Sequence, residues 1–247
     1  ASPLLTVNNV IQDNAANGLV FVSCTNPQIT NQTVTGHAVA TGALYFQNTT
    51  GIRLGTGNVI TGNTWALTID VSSELDASSA GNVPVAGNTN NDGLCVRGGS
   101  TPGARTWRQL GVPYIVTGAV QISGGGGALT IEPGCTVKFE DAVGLSTYGG
   151  LTAVGTVGQG ILFTRRDATD QWNGLDFAGA SVSATLAYCT VERATRYSTS
   201  AAIYVNGGGW RSLQHCTLRN NTFGIYASGV ASPLLTVNNV IQDNAAN

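Results

Sequence analysis

The sequence predicts an all-β chain, a right-handed parallel β-helix of about nine coils per 230-residue unit. Three observations carry this: a composition hostile to helices, a repeat at two scales, and the columns of like residues that the shorter repeat creates.

The 247 residues include 33 Gly and only 10% charged side chains, with Thr, Val, Asn and Ala abundant. Such a mixture disfavours helices and suits short strands joined by tight turns. A net charge of −2, with 11 Lys+Arg spread along the chain, offers no basic stripe for a phosphate backbone or an anionic membrane. No apolar run approaches the ~20 residues that span a bilayer, so no membrane insertion is expected in this segment. The five cysteines, at 24, 95, 135, 189 and 216, form no CxxC pair, which argues against a zinc site or a thioredoxin-type redox motif.

Residues 1–17, ASPLLTVNNVIQDNAAN, recur unchanged as residues 231–247. The offset divides the chain into one repeat unit, 1–230, and the start of the next identical unit, 231–247. Both ends then read as cuts through a longer tandem array; a duplicated end added by engineering is the alternative. Inside the unit, Ile11, Val34, Ile60, Val85, Val191, Leu218 and Ile241 align as apolar anchors with neighbouring spacings of 23, 26, 25, 27 and 23. The gap from Val85 to Val191 holds four more turns of that length, and two dozen residues per turn is the range of a β-solenoid. Each coil also carries a second alternating segment, such as Leu19–Phe21, Leu44–Phe46, Leu94–Val96, Ile203–Val205 or Ile225–Ala227, with every second side chain inside.

Stacking the coils creates testable columns. Three residues past each anchor stand Asn14, His37, Asn63, Asn88, Ala194, Asn221 and Asn244, which predicts an asparagine ladder at a turn with left-handed backbone at the asparagines. Two residues before the anchors stand Asn9, Asn58, Cys189 and Cys216, so the two cysteines become vertical neighbours, read as buried free thiols before a disulfide. The segment 97–110, RGGSTPGARTWRQL, fits the period poorly and reads as a protruding loop suited to lateral contacts between rods.

The asparagine-rich coils resemble the right-handed parallel β-helix repeats of secreted and surface bacterial proteins in the pectate-lyase-like superfamily. So do the stretches Val112–Gly118, Leu129–Phe139, Gly149–Thr156 and Ile161–Thr164, which look like the lead-in to such helices. The resemblance implies the fold and leaves function open, because this fold carries lyases, hydrolases, adhesins and fibres.

Chemistry is sparse. Asp167 and Asp170 beside Arg165 and Arg166 have the residue types of a lyase calcium site, but no carboxylates from adjacent coils align with them, and a solvated loop is the simpler reading. Glu74 with Asp76 and Glu140 with Asp141 are equally sparse, and nothing marks a glycosidase pair. His37 falls in the asparagine column; His215 alternates outward from Cys216, which makes a Cys–His nucleophile awkward. Gly124–Gly127 lacks the Lys-Ser/Thr of a phosphate loop and reads as a turn. Trp65, Trp107, Trp172 and Trp210 read as packing, with sugar stacking as the alternative. Asn31, Asn48 and Asn220 head glycosylation sequons, which matter only on a eukaryotic secretory route.

No catalytic residue, metal ligand or cofactor is therefore expected, and no binding residue is singled out. The expectation is a non-catalytic structural module of an extracellular or cell-surface fibre, filament or adhesin stalk. Its partners would be adjacent identical units stacked end to end, with lateral self-association or surface glycans as further contacts. A carbohydrate-active enzyme and a glycan-binding module are the competing classes.

Overall fold

The computed structural model describes residues 2–179, 182–196, 200–207, 210–229 and 235–246. Among them the chain is a β-solenoid of about nine stacked coils, with parallel pairing throughout and one 3-10 turn, Ala77–Ser79. It divides into two compact units, residues 1–97 with 108–115, and 98–107 with 116–247.

In the first unit three walls rise in parallel. One stacks Leu4–Leu5, Gln28–Ile29 and Arg53–Leu54; a second stacks Val10–Gln12, Thr33–Thr35 and Val59–Thr61; a third stacks Leu19–Val22, Leu44–Gln47, Leu67–Asp70 and Leu94–Arg97. The registers place Ile11 beside Val34 and Val34 beside Ile60, as the anchor spacing predicts. Phe21 stacks on Phe46 with ring centroids 4.8 Å apart, close to one inter-strand step.

The second unit also has three walls. One runs through Gly99–Thr101, Val120–Ile122, Leu145–Thr147, Leu175–Ala178, Ala201–Asn206 and Phe223–Ser228. Another runs through Ala104–Trp107, Ala128–Ile131, Gly150–Val154, Ser183–Ala187, Trp210–Gln214 and Leu235–Val237. The last contains Thr136–Phe139, Ile161–Arg165, Cys189–Glu192, Thr217–Arg219 and Val240–Gln242. Along this last wall Val137, Phe163, Val191, Leu218 and Ile241 form one inward column; the first four are buried and Ile241 is 45% exposed. Strict alternation produces such columns, because a period of two sends every second side chain to the core.

The asparagine ladder is present, bonded both amide to amide, with Asn63 Nδ2 donating to Asn88 Oδ1 and Asn221 Nδ2 to Asn244 Oδ1 at 3.0 Å each, and amide to main chain. Each ladder amide faces the coil before it. Asn63 Oδ1 accepts from the His37 backbone N–H at 2.9 Å, while its Nδ2 donates to the Val34 carbonyl at 3.1 Å. Asn88 repeats this toward Asn63 and Ile60, Asn221 toward Ala194 and Val191, and Asn244 toward Asn221 and Leu218. The amides thus satisfy backbone groups that a strand leaves open as it turns a corner, and they do so inside the coil stack. His37 fills the same place, its ring nitrogens 3.2 Å from the Ala16 carbonyl and 3.3 Å from that of Ile11. Ala194 has no side-chain donor to contribute.

The left-handed backbone lies one residue earlier than expected. Asp13, Gly36, Gly62, Gly87, Arg193, Asn220 and Asp243, each directly before a ladder position, have φ between 55° and 78°. The corner turns at that residue, which frees the following asparagine to point inward. A hydroxyl version occupies another corner: Ser73 Oγ accepts from Thr49 N–H, and Thr49 Oγ1 donates to the Phe21 carbonyl.

The segment 97–110 is not a protruding loop. Ser100 and Thr101 pair with Gln121 and Ile122, and Ala104–Trp107 pairs with Ala128–Ile131, so these residues form the first strands of two walls of the second unit. The segment departs from the period because it has no partner strand before it within those walls. Gly124–Gly127 is the turn between Val120–Ile122 and Ala128–Ile131, with Gly125 and Gly126 at positive φ.

Cys189 and Cys216 are adjacent on neighbouring strands, buried, and free. The Cys216 partner and burial hold the Cys189 thiol well above its usual pKa, and burial followed by the Glu132 charge pushes Cys135 up to about 12. Thiolate is the reactive form, so Cys189 and Cys135 should be inert, while Cys216, whose thiol the Cys189 hydrogen bond pulls down, is kept from reagent by its burial at 1% exposure. Cys95 is also buried, whereas Cys24 is partly exposed. Titration of the native protein with a disulfide reagent is expected to modify about one thiol quickly, Cys24, and all five only after denaturation; rapid modification of three or more would contradict this packing.

Candidate functional site

The charged residues singled out by the sequence are drawn into structural contacts. Asp167 and Asp170 close a local turn, Asp170 accepting from the Asp167 backbone N–H at 2.9 Å, and Arg166 reaches away to Glu140. Asp141 pairs with Arg196 at 2.9 Å and accepts from the Gln171 backbone. Asp76 caps the 3-10 turn through Ser78, which together with the Arg53 charge holds its carboxyl below the usual range; Glu74 lies 3.9 Å from Arg108. Contrary to the sequence expectation, carboxylates of an adjacent coil do stand beside the Asp167–Asp170 turn, since Phe139 pairs with Arg165 and Glu140 and Asp141 follow in step, but their contacts are taken up by Arg166, Arg196 and the Gln171 backbone.

His215 is exposed at a left-handed corner and stacks on Tyr188 at 4.7 Å, while Cys216 points into the core, as alternation predicts. Trp65, Trp107 and Trp172 are buried, so none of them offers a ring face to a glycan. Trp172 stacks on Phe139 at 4.4 Å and donates from Nε1 to the Glu192 carbonyl at 3.0 Å. The Trp210 side chain lies outside the described residues. The sequon asparagines Asn31, Asn48 and Asn220 all occupy left-handed, exposed corners.

One site with ligand-like geometry among the described residues was not found from the sequence. In the second unit the strand registers align Ser100, Gln121, Ser146, Asp176, Tyr204 and Tyr226 as one outward column. The column is internally bonded at each end: Ser100 Oγ lies 2.8 Å from Gln121 Oε1, and Tyr204 stacks on Tyr226 at 5.6 Å. At its centre opens a cleft of about 260 Å³, bounded by Ser146, Asp176 and Tyr204 on the wall and by Asn173, Gly174 and Ser200 on the adjoining corner.

The corner approaches the wall closely because glycine permits it. Gly174 has φ of +92°, and a Cβ there would lie 1.9 Å from the Ala201 carbonyl oxygen, so no other residue fits without moving backbone. Beside it two buried acceptors lack a partner: Asp176 Oδ1 and Asn173 Oδ1. The Asn173 amide orientation is set by its other end, where Nδ2 donates to the Ala142 carbonyl at 2.9 Å. Ser146 approaches only the second Asp176 oxygen, at 3.5 Å. Burial pushes the Asp176 carboxyl up from its ordinary pKa, and the Ser146 hydroxyl offsets only part of that. An unmet buried acceptor costs about 1–3 kcal/mol, so the cleft carries a penalty that an incoming donor would relieve.

No family model, no curated protein and no solved structure matches this chain.

Proposed function

We propose that the chain is a non-catalytic structural module of a tandem array, an extracellular or cell-surface shaft of the fibre or adhesin-stalk type. The observation that carries this is the behaviour of the duplicated segment. Near the start of the chain, Val10–Gln12 pairs with the coil that follows it, Thr33–Thr35. Near the end the same three residues, as Val240–Gln242, pair with the coil that precedes them, Thr217–Arg219, and Asn244 joins the ladder on Asn221. One sequence is thus engaged from above in one copy and from below in the other, which is what a unit boundary inside an unbroken solenoid requires.

Joining the two environments gives a boundary with no break in either column: Val191, Leu218, the shared isoleucine, Val34 and Ile60 in the core, and Asn221, the shared asparagine, His37 and Asn63 at the corner. A right-handed coil is part of this reading, since parallel crossovers take that hand in about 98% of cases. Membership of the pectate-lyase-like superfamily is proposed with it, on the resemblance of the coils.

Electron microscopy of the native array tests the proposal. Nine coils at the inter-strand spacing of ~4.8 Å give an expected axial repeat of ~43 Å along a filament. Compact isolated particles would overturn the shaft reading and favour an enzyme or a binding module instead.

A further inference from the structure

The cleft at Asp176 is unusual in what it lacks as much as in what it holds. Its polar lining is Ser146, Asn173, Asp176, Ser200 and the phenol of Tyr204, and no lysine, arginine or histidine lines it. The carboxylate and amide oxygens that go unpaired are acceptors only, and one of them carries the local negative charge. A complementary group must bring several donors, few acceptors and a positive charge.

Three cations can be compared by chemistry alone. A divalent metal needs six or more oxygen ligands and commonly several carboxylates, whereas this cleft supplies one carboxylate. A guanidinium gains its advantage from a two-pronged grip on the two oxygens of one carboxylate, whereas the unpaired acceptors here, Oδ1 of Asp176 and Oδ1 of Asn173, belong to different side chains and offer no such fork. A primary ammonium is a compact charge with three donors and no acceptor, and it can bond to Oδ1 of Asp176 and Oδ1 of Asn173 without a fork. The Tyr204 ring, braced on its neighbour Tyr226, gives an alkyl stem or the cation itself an aromatic surface at the cleft wall. The volume, about 260 Å³, lies below the ~300–1,000 Å³ of pockets for drug-sized ligands and suits a single side-chain-sized group.

We propose that this cleft binds a primary ammonium group on an alkyl stem, held by Asp176 and Asn173 with the stem against Tyr204. The group can belong to a lysine side chain of another protein or to a free aliphatic amine; the chemistry of capture is the same. This site is independent of the shaft reading, since it lies wholly within the second unit and needs no neighbouring module.

The test is a titration of the ¹⁵N-labelled full chain with butylammonium chloride, followed through the side-chain amide signal of Asn173. Saturable shifts are expected, with butanol and butylguanidinium binding at least tenfold more weakly. Asp176→Asn should weaken butylammonium at least tenfold with an unchanged far-ultraviolet circular dichroism spectrum. Tyr204→Ala, which leaves both acceptors in place, should weaken it about threefold or more and provides the check if the first variant does not fold. Nα-acetyl-lysine amide binding more tightly than butylammonium supports the site and identifies a protein lysine as its occupant; the reverse order supports it and identifies a free amine. Absence of saturable shifts, equal binding of butanol, or undiminished binding by Asp176→Asn overturns the proposal.

Discussion

Replacing Asn63 by alanine is expected to destabilise the protein by about 3 kcal/mol or more, because it strands several buried groups at once. The side chain is 1% exposed. Its loss removes the acceptor for the His37 backbone N–H and the donors to the Val34 carbonyl and Asn88 Oδ1, which lie on neighbouring coils. An unsatisfied buried polar group costs about 1–3 kcal/mol, and water can reach this corner only by parting the stack. Asn63→Asp discriminates the two halves of the amide: it keeps the acceptor for His37, loses the donors, and places a charge in the stack, so it should be no better than alanine at neutral pH. Urea denaturation of the two variants checks this. A loss below about 1 kcal/mol for alanine would mean that the ladder is ornamental to stability.

Trp172→Ala is expected to cost about 3–5 kcal/mol, the range for removing a large aromatic from a core. Trp172 is fully buried, stacked on Phe139, and bonded through Nε1 to the Glu192 carbonyl. Trp172→Phe retains much of the ring packing and loses the bond, and should cost about 1–3 kcal/mol. The ordering of the two in denaturant midpoint is the measurement; equal losses would assign the whole effect to the hydrogen bond. Glu192 itself accepts from Thr164 and Arg219, so the backbone at this point joins an aromatic stack to an ionic corner.

The coil period, the anchors and the ladder were legible because each recurs at nearly constant spacing, and a constant spacing is what stacking requires. The anchors at 11, 34 and 60 and at 191, 218 and 241 fall into register within each group, but not as one column: the first three form a sheet of their own, the last three belong to the wall through Thr136–Phe139, and Val85 lies in no strand. The corner dihedral was misplaced by one residue, since asparagine is favoured both in left-handed backbone and as a side-chain bridge, and sequence cannot separate the two uses. At Gly36, Gly62 and Gly87 glycine takes the first role so that the next residue can take the second.

The cleft was illegible for the opposite reason. No single residue type runs through Ser100, Gln121, Ser146, Asp176, Tyr204 and Tyr226, and their separations run from 21 to 30 residues as corner lengths vary. Only the strand registers bring them into line. Trp107 and the strands around it were hidden similarly: 97–110 read as an insertion because its partners, 120–122 and 128–131, lie after it.

The stacking also determines how the chain can acquire its structure. Nearly every tertiary pairing joins residues one coil apart, as Leu19 joins Leu44 at a separation of 25 residues. In a chain of 247 residues that separation corresponds to a relative contact order near 0.1, a value typical of fast-folding helical bundles, not of sheet proteins with distant strand partners. Each coil needs only its predecessor as a template, so the solenoid can grow vectorially as it is synthesised, one coil at a time, and a long array need not fold more slowly per unit than a short one.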